Sequence, residues 1–320
     1  IGATGAGPDC RATFTRATVK TCTDCATGKL VLLAAGVSCH ECNGYNGEGA
    51  RTNLFTYSNT LDNAEWLLSG TVGATANVTG PDGVSNSAWT LPDNAAGAIE
   101  EIYQNNTLTA ASYTVSVYVK KTSGAQASYP TMTQYCAASS KVALVTIDTT
   151  NGVATVWTAY TGLTIVTSSA SCVSFNSNYW RVSLVFTATA ESWKSTLTPA
   201  GTTNATQATG TLAVAAQGTA VFWGAQLELG AFASSYIPTT TAAVVRNADW
   251  LKYSAFPGGS AVASIVGRCD FLNRSANPMA FSPGDGTANN RTDIYAGGGA
   301  TVIINNITGG AVGLNSASGS

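Results

Sequence analysis

The residues of this chain that are best suited to chemistry are its cysteines, five of which fall within the first 42 positions. Cys22-Thr-Asp-Cys25 and Cys39-His-Glu-Cys42 form two CxxC pairs separated by 13 residues. This spacing could present four thiolates to one tetrahedral zinc ion, and His40 could replace one of them. The same cysteines could instead form disulfides, which persist in oxidising compartments and constrain the unfolded chain. Both interpretations are open on spacing alone.

Four cysteines lie outside these pairs. Cys10 precedes them and is a further candidate for a disulfide or a zinc ligand. Cys136 and Cys172 flank the central predicted strands, and they could form a disulfide if their Cα atoms lie within about 7 Å of each other. Cys269 is left over, as a free thiol or an interchain partner.

Catalytic chemistry has little support in the sequence. The single histidine, His40, lies among the cysteines and not beside a nucleophilic serine motif, so a Ser-His-Asp triad is not expected. Two carboxylates suffice for glycoside hydrolysis, but the 17 acidic residues are scattered. The adjacent pair Glu100-Glu101 would point to opposite faces of a strand. We therefore predict that the chain has no catalytic residues and is not an enzyme.

Two sets of residues are candidates for binding. Asp62, Asp82 and Glu228 could contribute oxygen ligands to a structural calcium ion, although Asp82-Gly83 also fits an ordinary turn. Trp66 and Trp89 lie near predicted loops and could offer an exposed aromatic face on which a sugar ring stacks. The remaining tryptophans in apolar strands, such as Trp180 and Trp223, are expected in the core. Apart from zinc or calcium, no cofactor is expected.

The elements that must position these residues are strands. Charged residues make up 10% of the 320-residue chain, and the abundance of Gly, Ala, Ser, Thr and Asn is poor for helices. Strict alternation places Tyr113, Val115, Val117 and Val119 on one face of a half-buried strand. The Asn151-Gly152 pair predicts a hairpin between two strands. Other predicted strands are 179–187, 210–214 and 219–228.

Charge and hydropathy exclude two classes of partner. A formal net charge of −2 provides no basic field for phosphates, so we do not expect nucleic-acid binding. The longest apolar run, Leu30–Val37, is far shorter than the roughly 20 residues of a membrane span, so no membrane insertion is expected. The chain starts at Ile1 without a recognisable signal peptide.

Several short motifs occur together and in a fixed order. They are Ala12-Thr-Phe-Thr-Arg-Ala-Thr18, Arg51-Thr-Asn-Leu-Phe-Thr-Tyr-Ser58, Leu61-Asp-Asn-Ala-Glu-Trp66, Gly80-Pro-Asp-Gly-Val-Ser-Asn86, Asn178-Tyr-Trp-Arg181, Trp223-Gly-Ala-Gln-Leu-Glu-Leu-Gly230 and Ser235-Tyr-Ile-Pro-Thr239. In this order they resemble a module that recurs in bacteriophage tail, fibre and neck proteins. Arg246-Asn-Ala-Asp249 and Phe281–Arg291 resemble the beginning of a concanavalin-like sandwich that often follows this module.

The composition and the strand pattern predict an all-β chain with an irregular, Cys-rich N-terminal arm (1–50), and the cysteines of this arm depart from the pattern of the module. The resemblance implies a jelly-roll β-sandwich related in shape to carbohydrate-binding modules (51–240), followed by a linker with a partial concanavalin-like β region (241–320). It also implies a structural or adhesive virion protein, as a fibre, collar or capsid-decoration subunit. The expected partners are other virion proteins, copies of the same chain, commonly as trimers, and host-surface glycans. A genuine carbohydrate-binding module and a polysaccharide depolymerase are the alternatives. In an extracellular particle, disulfides are favoured over zinc.

Overall fold

The computed structural model describes residues 12–42 and 44–253, together with four strands between Met279 and Ala317. Side chains are described for residues 14–42 and 44–250. These parts of the chain form strands, turns and irregular segments without a helix, which confirms the all-β prediction. They accordingly contain no helix that could cross a membrane. The chain divides into two compact units, residues 14–250 and residues 1–13 with 251–320.

The strands of the N-terminal arm are short. They are β1 (Ala12–Thr15), β2 (Lys20–Thr23), β3 (Leu30–Leu33), β4 (His40–Glu41), β5 (Gly44–Tyr45) and, where the arm meets the sandwich, β6 (Arg51–Asn53). β2 pairs with β3, and β4 pairs with β5. The part of the arm from β2 to β5 therefore consists of two small hairpins.

Two large sheets follow. Their strands are β7 (Leu67–Ser69), β8 (Thr75–Val78), β9 (Ala88–Asp93), β10 (Glu101–Thr107), β11 (Ser112–Lys120), β12 (Tyr129–Cys136), β13 (Lys141–Asp148), β14 (Val153–Val156), β15 (Thr164–Ile165), β16 (Ser168–Ser174), β17 (Tyr179–Thr187), β18 (Ser192–Thr202) and β19 (Gly218–Leu229). Sheet I has the order β14-β13-β12-β18-β10-β7, with β15 also paired to β13, and sheet II has the order β16-β17-β11-β19-β9-β8. The chain passes several times from one sheet to the other, for example between β10 and β11 and between β17 and β18.

One apolar core lies between the two sheets. Sheet I contributes Ile102, Met132 and Val145, and sheet II contributes Val115 and Phe222. Alternation along each strand directs these side chains inward, as the sequence pattern of 113–119 predicts. The predicted β-sandwich is thus confirmed.

The outer faces of the sheets are covered as well. In β11 every residue from Tyr113 to Val119 is buried, so the expectation of a half-buried strand is wrong. Tyr118 on the outer face packs in a second cluster with Leu30 of the arm and Tyr236 beyond β19. On sheet I, Val142 and Leu144 pack against Trp157. Each sheet is therefore an interior layer over part of its length.

The hairpin and loop predictions have mixed outcomes. Gly152 has a φ of +70° in the connection between β13 and β14, as the Asn-Gly pair predicts. Asp148 accepts hydrogen bonds from the backbone amides of Thr150 and Asn151, which stabilises this turn. The predicted strand at 210–214 is wrong. Its Ala213 amide donates to the Gly201 carbonyl, and the segment is irregular.

The larger unit extends past the sandwich strands. β20 (Val244–Arg246) pairs with β6, and β21 (Trp250–Tyr253) starts at the end of this unit. Ile237 and Thr239, just before the predicted linker, and Arg246, within it, are buried. The arm, the sandwich and residues up to Trp250 thus belong to one compact unit.

The smaller unit contains an antiparallel meander. Its strands are β22 (Met279–Phe281), β23 (Arg291–Ala296), β24 (Val302–Thr308) and β25 (Ala311–Ala317), paired in chain order. This sheet is the second, partial β region. Cys10, Cys269 and most of the Phe281–Arg291 motif lie outside the described residues.

Candidate functional site

The CxxC cysteines form two disulfides. Cys22 pairs with Cys39, and Cys25 pairs with Cys42, with Cα–Cα distances of 5.7 and 5.1 Å. Within the arm, Cys22 and Cys39 are buried, whereas Cys25 and Cys42 are exposed. The predicted disulfide chemistry is therefore confirmed, and the two bonds staple the β2–β3 hairpin to the β4–β5 hairpin.

The sulfur atoms do not form a four-cysteine zinc site. Among the described residues, the one group of three potential metal ligands within 4.8 Å of one another is Cys22, Cys39 and Glu41. Two of these three are consumed by a disulfide, and the carboxylate of Glu41 accepts a hydrogen bond from the Thr23 amide. Thiolate ligands for zinc would exist here only after reduction.

The predicted pairing of Cys136 with Cys172 is wrong. Both are free thiols, and they lie on different sheets of the sandwich, on β12 and β16. Cys136 is fully buried in the core, and Cys172 packs against that core from an edge strand. Burial raises the pKa of the Cys172 thiol to about 11, so it is unreactive as a nucleophile at neutral pH.

The predicted sugar platforms, Trp66 and Trp89, are also wrong. Their exposed fractions are 2% and 8%, and both rings pack in the core. The indole N–H of Trp66 donates to the Tyr57 carbonyl at 3.0 Å, and that of Trp89 donates to the Asn59 carbonyl at 2.9 Å. These tryptophans fix the loop at 57–59 and have no free face for a ligand.

The three calcium candidates do not come together. Asp62 is exposed, while Asp82 accepts hydrogen bonds from the Val84 amide and the Ser87 hydroxyl within its own turn. Glu228 is fully buried, and its carboxylate accepts from the amide and hydroxyl of Ser234. Each carboxylate is used by a separate part of the protein, so the structure corrects the prediction of a shared calcium site.

Several of the short motifs that resemble the phage module meet in a buried network on the outer face of sheet II. The Trp223 and Tyr236 rings lie 4.7 Å apart, and the Tyr236 hydroxyl is hydrogen-bonded to Ser58 Oγ at 2.6 Å. Gly224 has a φ of +63°, and a Cβ atom there would lie 3.3 Å from the Tyr236 ring. The Tyr179 hydroxyl donates to the Thr79 carbonyl at 2.6 Å, next to the Gly80 turn. The motifs therefore bind one another.

Amide side chains complete this network. Asn53 donates to the carbonyls of Ala225 and Ile237 and accepts from the Leu227 amide. Gln226 accepts from the Ile237 amide at 2.7 Å. Because each bond satisfies a buried backbone group, these residues dictate where the chain enters and leaves the sandwich.

A second feature, which sequence reasoning missed, is a buried charge cluster of Arg16, Lys20, Glu48, Arg246 and Asp249. Asp249 is bound to Arg16 at 2.9 Å and to Lys20 at 2.6 Å, and Glu48 is bound to Arg246 at 2.6 Å and to Lys20 at 3.0 Å. Burial opposes the ionisation of Glu48, but the Arg246 and Lys20 cations lower its pKa below the usual value.

The buried charge cluster joins the arm to residues 246–249 across about 200 positions of sequence. No local sequence pattern indicates such a cluster, because each charged residue stands alone among neutral neighbours, as a solvent-exposed charged residue would. The one sequence signal is that Arg16, Arg246 and Asp249 lie within the motifs that resemble phage proteins.

A solvent-open cavity of about 440 Å³ adjoins this cluster. It is lined by Thr15, Arg16, Ala17, Ala50, Asn247, Ala248 and Trp250, all within the larger unit. Trp250 is 70% exposed. This cavity is a concave surface that offers both an aromatic face and hydrogen-bonding side chains.

No protein-family model matches this chain, and the search of curated proteins found no match.

Proposed function

We propose that this chain is a structural or adhesive subunit of a bacteriophage virion, such as a fibre, collar or capsid-decoration protein. The observation that carries the proposal is the ordered set of motifs between Arg51 and Thr239, which resembles the module of such proteins. The side chains around Trp223, Tyr236 and Tyr179 interact with one another and not with an open site. Motifs whose side chains pack against one another specify a rigid fold and do not indicate catalysis.

The construction of the larger unit suits a particle that must survive outside cells. Two disulfides staple the arm, and the buried charge cluster ties it to residues beyond the sandwich. Both sheets carry apolar clusters on their outer faces. Such contacts slow local opening, so proteases find few cleavable segments, and kinetic stability is the property a fibre or decoration subunit needs.

No catalytic role is part of this proposal. The ring nitrogen Nε2 of His40 lies 3.0 Å from Ser38 Oγ, but His40 is exposed on the arm and packs beside Tyr45. The described part of the chain shows no carboxylate bound to that histidine. The cavity lined by Trp250 lies elsewhere and has no paired carboxylates in its lining.

The proposed partners are other virion proteins and further copies of the chain, because virion appendages are symmetric assemblies and commonly trimers. The test is proteomic analysis of density-purified particles from the phage whose genome encodes this chain. We expect the chain in stoichiometric amounts that resist high-salt washing. Its presence in infected cells but absence from washed particles would contradict the proposal.

A further inference from the structure

We infer that the open cavity beside Trp250 is a binding site for a neutral oligosaccharide. The inference deepens the proposed function and rests on it for its biological meaning, since an adhesive virion subunit requires a receptor.

Trp250 differs from every other tryptophan of the chain. Its exposed fraction is 70%, whereas Trp180 is half-buried and the remaining five are buried. Those five are Trp66, Trp89, Trp157, Trp193 and Trp223. A tryptophan presents a large apolar face that water solvates poorly, and stacking against the C–H face of a pyranose removes that face from water.

The rest of the cavity complements such a ring. Ala17, Ala50 and Ala248 provide small apolar walls, and the exposed side chains of Thr15 and Asn247 add a hydroxyl and an amide. Sugar hydroxyls need neutral groups that both donate and accept hydrogen bonds, which a hydroxyl and a carboxamide do. A volume of about 440 Å³ falls within the usual range of small-molecule sites.

The walls are held in place before any ligand arrives. Arg16 donates to the carbonyls of Thr18, Ala34 and Val37 and to the carboxylate of Asp249. The backbone amide of Asn247, another lining residue, donates to Thr18 Oγ1 at 2.8 Å.

Next to Ala50, the carbonyl of Gly49 accepts a hydrogen bond from Arg246, and the Asp249 amide donates to the Glu48 carbonyl at 2.8 Å. Several lining residues are therefore sequence neighbours of residues that are held by hydrogen bonds. A preorganised site loses little entropy when it binds, which favours recognition of a small polar ligand.

The electrostatics select a neutral ligand. Arg16 is the one ionisable residue in the lining, and its guanidinium is already engaged by three carbonyls and a carboxylate. An acidic ligand would find no free cation there, and its desolvation would be uncompensated. A purely apolar ligand would leave the Thr15 hydroxyl and the side-chain amide of Asn247 without partners in the ligand.

The test uses the full chain and a printed array of neutral hexose and N-acetylhexosamine oligosaccharides of two to four sugars. The strongest array binder is then titrated into the wild type and into W250A, W250Y and L68A, with acrylamide quenching of tryptophan fluorescence as a second readout. Leu68 is an exposed residue of β7 and serves as the matched control for loss of exposed apolar surface.

We expect the wild type to bind an array oligosaccharide and W250A to bind it at least about tenfold more weakly. W250Y, which keeps an aromatic face, should lose less affinity, and L68A none. Saturation with the oligosaccharide should protect wild-type tryptophan from acrylamide. Circular dichroism should show the same fold for all variants.

Failure to bind any array oligosaccharide, or binding that W250A leaves unchanged, would overturn the inference. Tryptophan quenching that is equal in the wild type and W250A would also overturn it, because Trp250 would then be covered. A chain found in washed particles that binds no oligosaccharide refutes this site and leaves the proposed function intact. A chain that binds at Trp250 but is absent from particles refutes the proposed function alone.

Discussion

Replacing Asp249 by asparagine tests the buried charge cluster. The carboxylate of Asp249 is fully buried and binds two cations, Arg16 at 2.9 Å and Lys20 at 2.6 Å, and it also accepts from the Glu48 amide at 3.0 Å. Asparagine has nearly the same volume, so packing is preserved while the negative charge is lost. The cluster would then hold three cations against one carboxylate.

The expected loss of stability is large. Removing one partner of a buried ion pair destabilises a protein by about 3–5 kcal/mol, because the other charge stays buried and uncompensated. In a unit of this size each kcal/mol lowers the melting temperature by about 2–4 °C, so D249N should melt about 6–20 °C lower than the wild type.

Differential scanning calorimetry under non-reducing conditions measures this shift, and D62N is the matched control, since Asp62 is exposed. The control should change the unfolding free energy by less than about 0.5 kcal/mol. A loss below about 1 kcal/mol in D249N, as for an exposed ion pair, would refute the claim that these charges are buried together.

Three further predictions concern the same unit. The pKa of Glu48 is lowered in the folded state, so its contribution to stability is complete above the ordinary glutamate pKa of 4.5 and is lost as the pH falls through the folded value. When the pH is lowered from 4.5, the urea midpoint of unfolding should therefore decrease less steeply in E48Q than in the wild type. G224A should lower the unfolding free energy by about 1–2 kcal/mol or more, because φ is positive and Tyr236 is close, whereas G97A, in an open loop, should not. Each disulfide spans 17 residues, worth about 3 kcal/mol, and mild reductant with alkylation should label exposed Cys25 and Cys42 before Cys22 and Cys39.

The strands that sequence reasoning found are those with strong local signals. β11, β13 and β17 alternate or are rich in β-branched residues, and the Asn-Gly turn marks one hairpin. β12 and β18 were harder to predict because each contains a proline, Pro130 in β12 and Pro199 in β18, which is unusual inside a sheet. The β12–β18 register shifts between Tyr129 and Thr131, so the irregularity at these prolines is tolerated by a bulge.

The candidate site was less predictable than the fold. The sequence indicated which cysteines are close together, but it could not choose among their pairings. The sequence places Trp66 and Trp89 near loops, but whether they are buried depends on the segments that pack over them. Those segments are distant in sequence. For the same reason, the exposure of Trp250 and the burial of the Asp249 side chain, one position before it, could not be predicted from the local sequence.

The most direct test of the central claim is cryo-electron microscopy of intact particles of the phage that encodes this chain. The proposal predicts copies of a two-sheet sandwich with a disulfide-stapled arm, repeated by symmetry on the tail, collar or capsid surface. Trp250 should face the outside of the particle. A reconstruction in which every surface density is assigned to other proteins, with this chain absent, would contradict it.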